Sequence, residues 1–274
     1  MANSGKQPVL VVVELSGGND FMNTVIPYTS SVYYDNRPTV QVPQEQVLPI
    51  NGSLGFHPAM GPFKEMFDAG DVAIVQGIGY PNASRSHFRG MDIWHTCEPL
   101  KIATEGWLGR TIRDLDPNKE NVLTGVNFGV GLPRAMMMPG VPVSSVSDLD
   151  NYGFMTGIEE EKRRSDALDM FRSMYAPAIG AGPVMEYLAQ TGNDALVGED
   201  RLKEAPAKYS SDVEYGSSAI EKSLRDISRV HLAGLGTRIF YASQGGYDVH
   251  SNENPVQPTL LGDLSRGIAA FFAD

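Results

Sequence analysis

The hydrophobic residues of this chain form two patterns, short unbroken runs and stripes at helical spacing. The runs are too short to cross a membrane and rich in β-branched side chains, which favour a pleated backbone covered on both faces. They predict strands at residues 9–15, 72–75 and 238–242, and residues 121–130, with their glycines, are predicted to form a further strand. The first run stops at Gly17 and Gly18, where glycine lets the chain turn sharply.

The stripes predict helices between these strands. They begin at His57-Pro58 and at Ser84 or Ser86, and they cover residues 107–115, 159–175, 184–190, 217–232 and 260–272. Strand, helix and strand in succession form a βαβ unit, whose two strands are parallel. The pattern therefore predicts an α/β fold in which the strands at Val9, Val72 and Arg238 are parallel neighbours or near-neighbours.

Two parts of the chain add detail to this alternation. In the helix after Ser86, the residues expected to face the core are Phe88, Met91 and Trp94. Residues 131–157 are rich in Pro, Gly and Ser and predict a loop. Residues 151–215 are predicted to be a helical insertion within a single domain of residues 1–274.

Composition narrows the classes of function. The formal net charge of −11 and the lack of a basic block argue against nucleic acid or an anionic membrane as partner. The single cysteine, Cys97, excludes an internal disulfide and a cysteine-cluster metal site. Residues 1–8 leave no room for a signal peptide before the first strand, so a cytoplasmic location or a mature form is expected.

Three of the predicted strands end in polar loops. The polar residues are Asn19, Asp20, Asn23 and Thr24 after the first, Ser84, Arg85, Ser86 and His87 after the second, and Asp248 and His250 after the last. The carboxyl ends of parallel strands lie at one edge of a sheet, where α/β proteins bind their ligands. The sequence therefore predicts one shared pocket that holds Ser86, both aspartates and His250.

These residue types suit metal-assisted chemistry on an anionic substrate. Carboxylates and imidazoles are ligands for zinc, manganese or magnesium, and two aspartates brought together need a cation because like charges oppose each other's ionisation. A serine at a helix N-terminus lies among free backbone N–H groups that stabilise an anion. Arg85 adds a forked donor for a tetrahedral oxyanion. The G-x-S-x-G, G-x-x-x-x-G-K-[ST] and H-E-x-x-H motifs are absent.

Four stretches follow one another through nearly the whole chain: residues 16–24 (SGGNDFMNT), 56–59 (FHPA), 85–88 (RSHF) and 245–250 (GGYDVH). Together they resemble the bacterial domain-of-unknown-function 1501 family, which is similar to the alkaline phosphatase and sulfatase superfamily. The resemblance implies a three-layer α/β/α sandwich with a mostly parallel sheet, a binuclear metal site and a nucleophile at the start of a helix.

The resemblance also implies roles for the metal-binding residues of this chain. Asp20 would be a ligand at the end of the first strand, and Asp248 and His250 would hold the other metal ion. We also expect Asn19 and Asn23, beside Asp20, to contact a small-molecule ester substrate.

The candidate catalytic residues come from one loop. Ser86 takes the nucleophile position, with Ser84 as the alternative, and Arg85 and His87 complete the set. The sulfatase pattern has a cysteine where Pro81 stands here, so a formylglycine sulfatase is not expected.

A second departure concerns the end of the chain. Proteins of this type continue past the last helix into a strand that supplies further metal ligands, so this chain looks truncated at its C-terminus relative to the family. We therefore expect a partly occupied metal site, weak catalysis and an open sheet edge that favours a homo-oligomer. Many related proteins carry an export signal, which this sequence does not show.

Two functions from different classes follow from these observations. The first is a metal-dependent hydrolase of phosphate or sulfate esters with a serine nucleophile. The alternative is a non-catalytic binding or scaffold protein that retains the fold. Two tightly held metal ions would favour the enzyme, and none would favour the scaffold.

Overall fold

The computed structural model describes residues 7–153, 157–158, 160–175 and 182–274. Its strands are β1 (Leu10–Leu15), β2 (Val25–Ile26), β3 (Leu48–Pro49), β4 (Gly55–Phe56), β5 (Gly125–Phe128), β6 (Ser144–Val146) and β7 (Ile239–Gln244). Its helices are α1 (Ser31–Asp35), α2 (Gly61–Ala69), α3 (His87–Thr96), α4 (Trp107–Leu115), α5 (Glu161–Tyr175), α6 (Pro183–Leu202), α7 (Ala205–Lys208), α8 (Ala219–Leu232) and α9 (Glu253–Ala273). Residues 1–6, on which the expectation about a signal peptide partly depends, lie outside the described residues.

The main sheet is parallel and has the strand order β1-β7-β5-β6. The Leu10 N–H donates to the Arg238 carbonyl at 2.9 Å, and the Ser16 N–H donates to the Gln244 carbonyl at 2.9 Å. Both donors advance along β1 as both acceptors advance along β7, which is the register of a parallel pair. The predicted α/β class is thereby confirmed, and so is the prediction that β1 and β7 are parallel neighbours.

The prediction of a strand at residues 72–75 is wrong. These residues have no regular secondary structure, and Val75 is exposed. A strand needs a neighbour to pair its backbone N–H and C=O groups, and within the described ranges no strand pairs with this segment. β1 also differs from expectation, because it ends the strand order and its side chains are at most half-buried.

The positions of the helices along the chain agree with the prediction better than the identity of their buried residues does. α4 has the predicted bounds, and α3 starts after its N-cap Ser86, one of the two caps predicted. However, Phe88 is 87% exposed, so the predicted inner stripe of α3 is wrong, and Ile93 is buried instead. Two other differences are β6, which lies within the predicted loop 131–157, and α9, which begins earlier than residue 260.

The chain divides into two compact units. Unit 1 comprises residues 1–12, 82–210 and 229–241, and unit 2 comprises residues 13–81, 211–228 and 242–274. The strands β1 and β7 contribute residues to each unit. The single domain with an insertion at 151–215 stays a prediction. None of the helices in the described ranges has both the length and the apolar character needed to cross a membrane.

The core of unit 1 forms where α4 packs on the sheet. Leu108 and Ile112 of α4 are buried with Met136, and they contact Ile239 and Tyr241 of β7. This contact fixes the segment that follows β5, because Ala135 and Met136 belong to the short 3-10 turn after β5.

The core of unit 2 supports the loops after β1 and β7. Phe56 and Met60 are buried with Tyr247 and with Leu261 of α9. The small antiparallel sheet β2-β4-β3 joins this core, because Val25 pairs with Phe56. As a result, the end of β1, the middle of α9 and the loop after β7 share one cluster of apolar side chains.

Candidate functional site

The loop after β1 turns through two glycines. Gly17 has φ +110° and Gly18 has φ +84°, backbone conformations that residues other than glycine rarely adopt. A Cβ on Gly17 would lie 2.6 Å from the backbone nitrogen of Asp248, so the loops after β1 and β7 pass in direct contact. The Tyr247 N–H also donates to the Ser16 carbonyl at 3.4 Å. Within unit 2, the structure therefore brings the two predicted metal-binding loops side by side.

Asp20 is held by an arginine that the sequence analysis missed. The Nη2 of Arg37 donates to Asp20 Oδ1 at 2.8 Å, and its Nη1 donates to Asp20 Oδ2. The side chain of Asp20 is 17% exposed and that of Arg37 is 23% exposed. Burial opposes the charge of Arg37, but the hydrogen bonds to Asp20 and its negative charge prevail and raise the pKa of Arg37. This carboxylate thus has its counter-charge within the chain.

A second carboxyl group, Glu253, lies beside this pair. The Nδ2 of Asn23 donates to Glu253 Oε1 at 2.8 Å, and the hydroxyl of Tyr33 donates to Asn23 Oδ1 at 2.6 Å. Burial raises the pKa of Glu253, and hydrogen bonding to Asp20 raises it further. Asp20 and Glu253 therefore form a pair of adjacent carboxyl groups beside Arg37.

Asn19 and Asn23 have structural partners within the same loop region. The Nδ2 of Asn19 lies 3.0 Å from Thr24 Oγ1, and Asn23 Nδ2 also donates to the Val40 carbonyl at 2.8 Å. Asn23 is buried, and Asn19 is half-buried. These contacts fix the shape of the loop after β1. The predicted contact of the two asparagines with a substrate stays a prediction.

The loop after β7 carries an open pair of side chains. The Nε2 of His250 lies 3.0 Å from Asp248 Oδ1. His250 is 81% exposed and Asp248 is 56% exposed, so both can reach solvent. An imidazole beside a carboxylate supplies one nitrogen and one oxygen donor of the kind that zinc or manganese accepts.

The candidate catalytic residues belong to unit 1. Ser84, Arg85, Ser86 and His87 are all exposed. Ser86 is the N-cap of α3, and its Oγ accepts from the Arg89 N–H at 3.4 Å. The Oγ of Ser84 accepts from the Ser86 N–H at 3.1 Å. Ser86 therefore presents a hydroxyl at the positive end of a helix, as predicted.

A divalent cation fits part of this arrangement. Asp248 and His250 offer two suitable donors, whereas both oxygens of Asp20 are engaged by Arg37. Among the described residues, no group of three or more His, Cys, Asp or Glu side chains could hold a metal ion. A cation on Asp20 would have to replace Arg37, because two positive charges cannot share that site without cost. The metal ion stays a prediction.

The units divide the predicted site residues. Asn19, Asn23 and all three predicted metal ligands belong to unit 2, and the four catalytic candidates belong to unit 1. One shared pocket for all of them stays a prediction. Sequence reasoning missed Arg37, Glu253 and Gln257. Glu253 and Gln257 did carry a signal, because residues four apart lie on one face of a helix.

Comparison of the chain with family models, with curated proteins and with solved structures gave no match. The resemblance to the domain-of-unknown-function 1501 family therefore stays a resemblance of the quoted stretches. What can be concluded about function depends on the residues and their geometry.

Proposed function

We propose that this protein is a metal-dependent hydrolase of phosphate or sulfate esters. The observation that carries the proposal is the contact between the loops after β1 and β7 at Gly17 and Asp248. This contact places two aspartate-bearing loops at the carboxyl ends of neighbouring parallel strands, the usual ligand position of an α/β sheet. The finer fold, an α/β/α sandwich of the alkaline-phosphatase type, and a homo-oligomeric state are parts of the same proposal.

The residues of the chain would divide the chemistry as follows. A divalent cation, held by Asp248 and His250, would supply positive charge to the ester, with Asp20 as a further ligand in place of its ion pair with Arg37. The Oγ of Ser86 would attack the phosphorus or sulfur atom, and the bond to the leaving alcohol would break. Arg85, which makes no ion pair within the described residues, would donate to the anionic oxygens. Water would then hydrolyse the seryl ester and restore Ser86.

One observation favours the alternative, a binding or scaffold protein without turnover. Arg37 neutralises Asp20 through two hydrogen bonds, so this carboxylate needs no cation in the described arrangement. A protein that has lost catalysis can keep its fold when an internal cation replaces the metal ion at such a position. This alternative predicts no bound metal and no hydrolysis.

The test combines elemental analysis of the purified protein with hydrolysis of aryl phosphate and aryl sulfate, each with zinc, manganese or magnesium added. For the enzyme we expect bound metal and turnover that falls by about a thousandfold or more in Ser86→Ala. Ser86→Asn is the sharper variant, because asparagine can still cap α3 but has no hydroxyl.

Ser84→Ala is the matched control, because it removes the other candidate hydroxyl and leaves Ser86 in place. Full activity in Ser84→Ala with loss in Ser86→Asn would support Ser86 as the nucleophile. Equal activity in all variants would remove Ser86 from the mechanism. No metal and no turnover with either ester would favour the scaffold.

A further inference from the structure

A cavity of about 560 Å³ lies within unit 2, beside the Asp20 and Glu253 carboxyl pair. Its walls are formed by residues 40–43, by the turn that begins at His57 and by the first turns of α9. Its volume is in the range of cavities that hold small molecules. Neither the proposed hydrolysis nor the predicted site residues account for its two unused polar groups, one on His57 and one on Gln257.

His57 supplies a donor to this cavity. The side chain is buried, with 6% of the residue exposed, and it lines the cavity. Its Nδ1 accepts from the Ala59 N–H at 3.1 Å, and burial lowers the pKa of His57, so the ring is neutral with its proton on Nε2. Within the described residues, Nε2 has no hydrogen-bond partner, and it is the edge of the ring left for the cavity.

Gln257 supplies an acceptor to the same cavity. This buried side chain uses Nε2 to donate to the Asp20 carbonyl at 2.9 Å. Its Oε1 has no hydrogen-bond partner in the described part of the chain, although Gln257 lines the cavity. Neither this atom nor His57 Nε2 is among the fully buried polar atoms without a partner in the described residues, so each is accessible and can pair with water or with a ligand.

Charge and shape narrow the class of ligand. Glu253 lines the cavity and repels anions, whereas the donor on His57 is unfavourable for a cation. The remaining walls include apolar surface from Val42, Pro43 and Pro58. A hydroxyl group can both accept from His57 and donate to Gln257, and the ring of a sugar or cyclic polyol has C–H faces that pack on apolar surface.

We propose that this cavity binds an uncharged, hydroxyl-rich small molecule of the sugar or cyclic polyol class. The inference goes beyond the proposed hydrolase, because it needs neither Ser86 nor a metal ion. It is therefore tested by binding rather than by turnover, and either idea can fail without the other.

The probe is myo-inositol, titrated into the 274-residue chain labelled with nitrogen-15 and followed by NMR. We expect saturable shifts of the His57 Nε2 resonance and of the Ala59 and Gln257 amides, at millimolar concentration. Two comparison probes define the chemistry. Tetrahydropyran, a ring without hydroxyl groups, and inorganic phosphate should give no saturable shift at these positions.

A blocking variant avoids disturbing the buried hydrogen bonds. Gln46 is exposed and lines the cavity, so Gln46→Trp should fill its mouth and weaken binding by about tenfold or more. Its exposed neighbour Glu45 does not line the cavity, so Glu45→Trp should leave binding unchanged. The proposal is overturned if myo-inositol gives no saturable shift, if phosphate or tetrahydropyran binds equally well, or if both tryptophan variants behave alike.

Discussion

The loops after β1 and β7 both follow the carboxyl ends of neighbouring parallel strands, but the surroundings of their aspartates differ. Asp20 is largely buried, paired with Arg37 through both carboxylate oxygens and adjacent to Glu253. Asp248 is exposed, and its carboxylate lies beside His250, which is more exposed still. The loops nevertheless touch each other at Gly17.

This difference shows that a position at the end of a parallel strand does not by itself make a carboxylate available to bind a cation. A buried carboxylate must be neutralised, and the chain can do so with a metal ion or with its own arginine. At Asp20 the arginine fills that role, whereas at Asp248 solvent does. The open pair therefore remains the better candidate for a cation that exchanges with solvent.

The largest expected effect tests the contact between the loops after β1 and β7 at Gly17 and Asp248. Gly17→Ala should lower the free energy of unfolding by about 3 kcal/mol, because its Cβ would meet the Asp248 backbone at 2.6 Å and its φ is +110°. The measurement is urea denaturation followed by circular dichroism.

The matched control for this prediction is the next glycine. Gly18 also has a positive φ, but a Cβ there would meet nothing within 4 Å. Gly18→Ala should therefore cost only about 1 kcal/mol, the cost of the backbone conformation alone. Equal losses in the two variants would mean that the loops after β1 and β7 do not touch as described.

The second prediction concerns the charge balance at Asp20. Arg37→Leu should lower the free energy of unfolding by about 2 kcal/mol, because it leaves Asp20 and Glu253 next to each other without a cation. Arg113→Leu is the control, since Arg113 pairs with Asp114 at the exposed surface and should cause no measurable change. A harmless Arg37→Leu would show that Asp20 is not neutralised by this arginine.

The sequence predicts well those elements whose signals are local. The valine-rich run of β1, the apolar stripe of α4 and the serine cap of α3 each act within a few residues, and the structure has all three. Residues 72–75 have equally strong strand character but no strand partner in the described chain. Strand formation depends on that distant partner, which hydrophobic pattern alone does not supply.

In the candidate site, too, the features set by adjacent residues could be predicted and those set by distant residues could not. The cap at Ser86 and the glycine turn after β1 follow from adjacent residues, so they could be predicted. The groups around Asp20 could not, because Arg37 comes from a loop without periodic pattern and Glu253 is 230 residues from its partner Asn23. Such contacts depend on tertiary packing, and charge alone does not identify which arginine or glutamate takes part.

The smallest expected effect concerns the buried histidine beside the loop after β1. The side chain of His57 is buried, and its backbone N–H donates to the Thr24 carbonyl in that loop, whereas His250 lies exposed after β7. Burial lowers the pKa of His57 below 6.5 in the folded protein, so the unfolded chain binds more protons there as the pH falls. The resulting stability is present above pH 6.5 and is lost as the pH falls through the folded pKa.

His57→Asn keeps an acceptor for the Ala59 N–H, so its expected effect is a flatter dependence of the unfolding free energy on pH below 6.5, by at most about 1.4 kcal/mol per pH unit. The measurement is urea denaturation at a series of pH values. An unchanged slope in His57→Asn would contradict the assignment of this pH dependence to the buried side chain of His57.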